Sequence, residues 1–164
     1  MTNDPPTTDA WAAAIGYFML NFGMVEYHTF MFLEGRLTAE EFSRVKKWHL
    51  QDRLGWIGKY LKDQNFPETD QESFAHLTGR IAPVRDLRNL IAHGYLYGRY
   101  DPGTKSSAVA LSPAKDLDVA HLPESRSVEF EEICAALNTL QELLEPLSRL
   151  AGFEPDPDPF GILI

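Results

Sequence analysis

The chain has 164 residues, of which 44% are hydrophobic and 12% aromatic, and this supports one domain with its own core. The formal net charge of −9 excludes a protein that coats nucleic acid nonspecifically, although it leaves room for a local basic site. The single cysteine, Cys134, excludes an internal disulfide, and the N-terminus lacks the basic region of a signal peptide, so we predict a cytoplasmic protein.

The first predicted helix follows Thr7-Thr8-Asp9, which offers an N-cap, and extends to about Leu33. Mostly apolar side chains recur every three or four residues, at Trp11, Ile15, Phe18, Phe22, Val25, Thr29 and Phe32. Because other faces are apolar too, a second face is expected to meet another subunit. A membrane span is disfavoured because Glu26 would be costly in lipid, so we predict a buried or dimer-facing helix and no membrane association.

Two further helices are predicted before the middle of the chain. Thr38-Ala39-Glu40-Glu41 has the spacing of a capping box and predicts a second helix from about Ala39 to Lys62. A third helix is expected to begin near Asp70, to be interrupted or kinked at Pro83, and to continue through His93, where Gly94 stops it.

The residues after Gly94 change from a helical to a strand-like pattern. The aromatic run Tyr95–Tyr100 and the turn Asp101-Pro102-Gly103-Thr104 predict a β-hairpin over about residues 95–112. A last long helix is predicted from Val128 to Leu150, with inward positions Ile133, Leu137, Leu140, Leu144 and Leu147.

These elements predict a mainly α fold, an antiparallel bundle of four or five helices with the small hairpin inserted before the last long helix. Residues 9–152 are expected to form a single domain behind a flexible N-terminus of residues 1–8. Residues 153–164 alternate proline with acidic residues and end in an apolar tip, so we expect an extended tail.

Charge is unevenly placed along the chain. Residues 44–62 carry six basic residues against one acid, Asp52, whereas the segment from Asp116 onward is strongly acidic. This distribution fits either a face that steers a polyanion or ordinary solvated helix surfaces.

The candidate catalytic residues lie near the end of the third predicted helix. At 100° per residue, one arc of about 140° holds a mostly polar set, namely Arg85, Arg88, Asn89, Ala92 and His93. Arginine stays charged and can bind two phosphate oxygens at once, and histidine moves protons near neutral pH. Together they suit phosphodiester chemistry without a metal ion.

The segment Arg88-Asn89-Leu90-Ile91-Ala92-His93 resembles the signature of the HEPN superfamily: an arginine, a polar residue, three further residues and a histidine. The likeness covers about residues 80–97. That superfamily is all-helical, usually dimeric, and includes many metal-independent endoribonucleases of bacterial toxin–antitoxin, phage-defence and CRISPR systems. The resemblance implies a homodimer that joins two polar arcs into one cleft, no cofactor, and an antitoxin or a nucleotidyltransferase as a candidate partner.

The activity implied is cleavage of RNA by transesterification, in which the ribose 2′-hydroxyl attacks the adjacent phosphorus. His93 is expected to act as general base or acid, and Arg88 to neutralise charge on the phosphoryl oxygens. Asn89 and Arg85 are the supporting residues. On the hairpin, the candidates for RNA contact are Tyr95, Tyr97, Arg99 and Tyr100, although the tyrosines also suit ordinary hairpin packing.

The alternative is a catalytically inactive HEPN-like helical dimer that binds a protein or a nucleotide. An open, solvent-reachable cleft at Arg88 and His93 favours catalysis, whereas side chains that are buried and fully bonded to the backbone favour the binding module. Glu26 would need a partner if buried, and an arginine of the site is the candidate. No metal site is predicted, because the other histidines share no ligand spacing: His28, His49, His76 and His121.

Overall fold

The structure is a computed structural model that describes residues 6–100, 107–113 and 126–152, with the backbone alone for 95–100 and 107–113. The described residues are mainly helical, which confirms the expected fold class. They form two compact units: unit 1 holds residues 6–22 and the described residues within 80–140, and unit 2 holds Gly23–Gly79 and residues 141–152. The predicted tail of residues 153–164 and the first five residues lie outside the described part.

The helices and strands follow the chain in a simple order. The helices are α1 (Thr8–Glu34), α2 (Ala39–Val45), α3 (Leu50–Asp63), α4 (Glu68–Gly79), α5 (Ile81–His93) and α6 (Phe130–Ala151). The strands, which lie between α5 and α6, are β1 (Gly94–Tyr100), β2 (Ser107–Pro113) and β3 (Arg126–Val128). Among the described residues, no helix combines the length and the apolarity needed to cross a bilayer.

Helix α1 begins where the sequence predicts, because the Thr7 hydroxyl accepts a hydrogen bond from the backbone N–H of Ala10 at 3.2 Å. The predicted stripe is confirmed as its inner face. All of its members are buried except Ile15, which is half-buried: Trp11, Phe18, Phe22, Val25, Thr29 and Phe32.

The prediction of one continuous second helix is wrong, because two helices, α2 and α3, occupy this segment. The capping box does form: Thr38 Oγ1 accepts from the N–H of Glu41, and the Glu41 carboxylate accepts from the N–H of Thr38. The chain then leaves the helix in a tighter turn, in which the N–H of Trp48 bonds to the carbonyl of Val45 at 2.9 Å. Val45 and Leu50 are both buried, and a continuous helix would place them about 140° apart, so the break allows both to reach the core.

The predicted interruption of the third helix is confirmed, with a shift in position. Helix α4 begins at Glu68 rather than Asp70, and the break lies at Arg80, three residues before Pro83. Pro83 therefore occupies the first turn of α5, where its missing N–H has no helical partner to lose. At the other end, α5 stops at Gly94 as predicted: this C-cap residue is extended, with a φ of −96° and a ψ of 170°, and it begins β1.

Unit 1 carries the predicted hairpin. Strand β1 pairs antiparallel with β2, from Gly94 opposite Pro113 to Tyr100 opposite Ser107, and β2 pairs antiparallel with β3. Next to the sheet, Trp11 of α1 packs edge-on against Phe130 of α6 at 5.3 Å between ring centroids. Arg80 Nη2 also donates to Thr139 Oγ1 at 2.9 Å, so the break between α4 and α5 is attached to α6.

Unit 2 contains the C-terminal part of α1, all of α2, α3 and α4, and the C-terminal part of α6. A Cβ added at Gly58 would lie 3.8 Å from the Phe74 ring, so α3 and α4 are in close contact here. On α6, Leu140 and Leu147 are buried as predicted, but Leu144 is only half-buried, and Leu143 is fully buried instead. Within unit 2, the buried side of α6 is therefore defined by Leu143 and Leu147 rather than by Leu144 and Leu147.

One buried hydrogen bond in unit 2 contains a titratable group. Ser148 Oγ on α6 lies 2.9 Å from Nδ1 of His28 on α1, and both residues are buried. Burial lowers the pKa of His28 below its ordinary value of 6.5, because an imidazolium there would lose its hydration.

We expect acid to destabilise the protein through His28. As the pH falls below 6.5 the unfolded chain takes up this proton first, so the free energy of unfolding decreases by at most about 1.4 kcal/mol per pH unit until the lowered pKa is passed. Urea unfolding between pH 7.5 and 5 measures this slope. His28→Asn should remove most of it, whereas His76→Asn, at an exposed position of α4, should leave it unchanged. Equal slopes in wild type and His28→Asn would contradict the assignment.

Candidate active site

Helix α5 presents the polar arc that the sequence predicts. Val84 and Leu87 are buried on one side, Arg85 and Arg88 are half-buried, and the remaining members of the arc are exposed: Asn89, Ala92 and His93. Thus the apolar side fixes the helix in unit 1, and the arc keeps access to solvent. All five predicted arc residues lie on this one helix, so the structure keeps them together.

Arg88 is held by contacts that leave its charge without a counterion in the described residues. Its Nη1 donates to Oδ1 of Asn89 at 3.1 Å, and its Cζ lies 5.4 Å from the centroid of the Phe22 ring. Its Nε is buried and has no hydrogen-bond partner in the described part. An anion that reaches this side chain would therefore meet a positioned cation, although not at Nε, which is buried.

His93 is the last residue of α5 and is exposed. Its ring makes no hydrogen bond to any other residue that the structure describes. It lies five positions after Arg88, a rise of about 7.5 Å along the helix axis and a rotation of about 140°, so the two side chains flank the arc. The exposed ring can be reached by solvent or by a bound substrate.

Arg85, the second supporting residue, is already paired. Its Nη2 and Nε donate to Oδ1 of Asp86 at 2.9 and 3.1 Å. Since Asp86 is largely exposed, solvent screens this pair and it contributes little to stability. Arg85 contributes less positive charge to the arc than the sequence implies.

The hairpin residues predicted to contact RNA lie in β1, of which the structure describes the backbone alone. The side chains of Tyr95, Tyr97, Arg99 and Tyr100 are outside the described part, so their role stays a prediction.

The expected partner of Glu26 is wrong. Glu26 pairs with Arg53 of α3, whose Nη2 lies 3.2 Å from Oε1, and not with an arginine of the site. The Arg53 guanidinium is almost fully buried and lies over the Phe30 ring at 3.9 Å, and this burial lowers its pKa against the opposing effect of Glu26. The pairing follows from the packing of α3 on α1, which joins residues 27 positions apart.

Sequence reasoning missed one contributor to the site, Phe22. The periodicity of α1 predicts it as a core residue, but its contact with Arg88 depends on how α1 packs against α5. Within the described residues, no group of three or more histidine, cysteine, aspartate or glutamate side chains is placed to hold a metal ion. Comparisons with known protein families, with curated proteins and with solved structures find no match to this chain.

Proposed function

We propose that this protein is a metal-independent endoribonuclease that uses Arg88 and His93 to cleave RNA by attack of the ribose 2′-hydroxyl on the adjacent phosphorus. The observation that carries the proposal is the state of the pair: an exposed imidazole on the same helix as a half-buried guanidinium that has no counterion among the described residues. Full bonding of both side chains to backbone would favour a binding module, and neither side chain is bonded in that way.

Each side chain has a distinct task in this reaction. His93 removes the proton from the 2′-hydroxyl or delivers one to the leaving 5′-oxygen. Arg88 donates to the non-bridging oxygens, where negative charge grows in the transition state. Asn89 keeps the Arg88 guanidinium in place through its side-chain oxygen.

A second copy of the chain completes the proposed site. Arg88 and His93 flank Ala92, a small exposed side chain that permits close approach of another helix. A two-fold axis at this point would join two arcs into one cleft with two cations and two imidazoles. The proposed setting is a bacterial cytoplasm, as a toxin or a phage-defence component with an antitoxin or a nucleotidyltransferase as partner.

The test is cleavage of a pool of labelled single-stranded RNAs by the purified protein in excess chelator. We expect 5′-hydroxyl ends and 2′,3′-cyclic phosphates, because the attacking oxygen belongs to the substrate. Single-stranded DNA of the same sequences should stay intact, since it lacks this oxygen. Linear 3′-phosphates formed without a cyclic intermediate, or equal cleavage of DNA, would contradict the mechanism, and an intact RNA pool would favour the inactive binding module.

A further inference from the structure

A shallow groove on the surface of unit 2 is separate from the polar arc of α5. It follows the outer side of α3 and the turn before it, and it is lined by Trp48, Gln51, Asp52, Gly55, Trp56 and Lys59. We name it the tryptophan groove.

The two indoles of the tryptophan groove differ in how they are held. Trp48 is 38% exposed, one of the few large apolar side chains on the described surface. Trp56 is half-buried and fixed, because it stacks on Tyr60 at 5.4 Å and 20° and meets Phe32 edge-on at 6.5 Å. One ring is therefore a rigid platform and the other is open to solvent.

Gly55 leaves the space in the groove open. A Cβ added there would meet nothing within 4 Å, so packing in unit 2 does not require a glycine. A larger side chain at this position would instead extend into the groove.

Several basic residues of segment 44–62, which includes the groove, are not paired with an acid among the described residues. Of the six basic residues in 44–62, Arg53 is buried against Glu26, and Arg44 is paired with Glu40. Four exposed lysines remain, at positions 46, 47, 59 and 62. Among the residues that line the groove, Asp52 offsets Lys59, so the positive charge near the groove comes from the other three exposed lysines, which precede Trp48 or follow Lys59 in the chain.

We propose that the tryptophan groove binds single-stranded nucleic acid, with bases stacked on Trp48 and Trp56 and phosphates near Lys59 and the Lys46–Lys47 pair. Aromatic platforms bordered by lysines are the arrangement by which proteins hold unpaired strands without reading sequence. The exposed lysines that flank the groove in the chain favour a polyanion, and the indole rings favour one that carries planar bases. Binding here needs neither Arg88 nor His93, so it goes beyond the proposed cleavage.

The experiment is a titration of the full chain with fluorescein-labelled oligodeoxythymidine, which transesterification cannot cleave. Anisotropy gives Kd over a range of salt concentrations, and quenching of tryptophan fluorescence reports stacking. Trp48→Ala should weaken binding about tenfold, within the range known for loss of one stacked base, and Trp48→Phe should keep most of the affinity. Lys59→Gln should reduce the slope of log Kd against log salt by about 0.7, whereas Trp48→Ala should leave that slope unchanged.

Leu20→Ala is the matched control, because Leu20 is a more exposed apolar side chain that lies in unit 1. It should bind as wild type does. Equal affinities of wild type and Trp48→Ala would overturn the proposal. So would an acidic peptide that displaces the labelled strand at a lower concentration than an unlabelled strand does. Binding of the oligonucleotide without RNA cleavage would contradict only the proposed endoribonuclease activity. RNA cleavage with no change in oligonucleotide affinity in Trp48→Ala would contradict only the proposed binding at the tryptophan groove.

Discussion

His93→Ala is expected to lower the rate of RNA cleavage by about 10² to 10⁴, the usual loss when a general acid or base is removed. The exposed position of His93 at the end of α5 means that the variant should fold normally, so the loss should appear in kcat rather than in stability. Single-turnover cleavage of a defined RNA in chelator, with thermal unfolding of each variant, measures both quantities.

Arg88→Ala should have a comparable effect, about 10² or more, because the growing charge on the phosphoryl oxygens would lose its preorganised partner. Arg88→Lys should recover only part of the rate, since a lysine cannot donate two parallel hydrogen bonds. The double variant should be scarcely slower than either single one, because both residues serve one step.

His76→Ala is the control for the histidine, and Arg149→Ala for the arginine, since both residues are exposed and lie in unit 2. Unchanged cleavage in the controls with loss in both site variants supports the assignment. Equal cleavage by wild type, His93→Ala and Arg88→Ala would refute it and would point to a contaminating nuclease.

Glu26→Ala is expected to destabilise the protein by about 3 kcal/mol, because it leaves the Arg53 charge buried without a counterion. Arg53 is only 2% exposed, and its Nε already lacks a partner in the described residues. The effect lies at the lower end of the range for broken buried pairs, because the Glu26 side chain is about one-third exposed and partly solvated.

Urea unfolding at pH 7.5 measures this loss. Glu40→Ala, which breaks the exposed pair with Arg44, is the control and should change the stability little. Combining Glu26→Gln with Arg53→Met should recover stability relative to Glu26→Ala, since no buried charge then remains and methionine can keep the contact with Phe30. A double variant less stable than Glu26→Ala would show that the ion pair itself stabilises unit 2.

The sequence by itself determined the features that depend on short-range periodicity. The apolar stripe of α1, the hairpin after Gly94 and the polar arc of α5 follow from local sequence patterns and agree with the structure, and the interruption predicted at Pro83 is present three residues earlier. Backbone geometry links residues three to five positions apart in the same way wherever a helix forms, so these features need no knowledge of the rest of the chain.

Only the tertiary structure decided the features that depend on residues distant in the chain. The break between α2 and α3 has no proline or glycine to mark it and arises because Val45 and Leu50 both reach the core of unit 2. Packing likewise assigns Arg53 to Glu26, places Phe22 beside Arg88, and leaves Trp48 at the surface. Periodicity tells which side of a helix is apolar, but the partner that covers each side, and therefore which charges stay free for function, is set by how the helices pack.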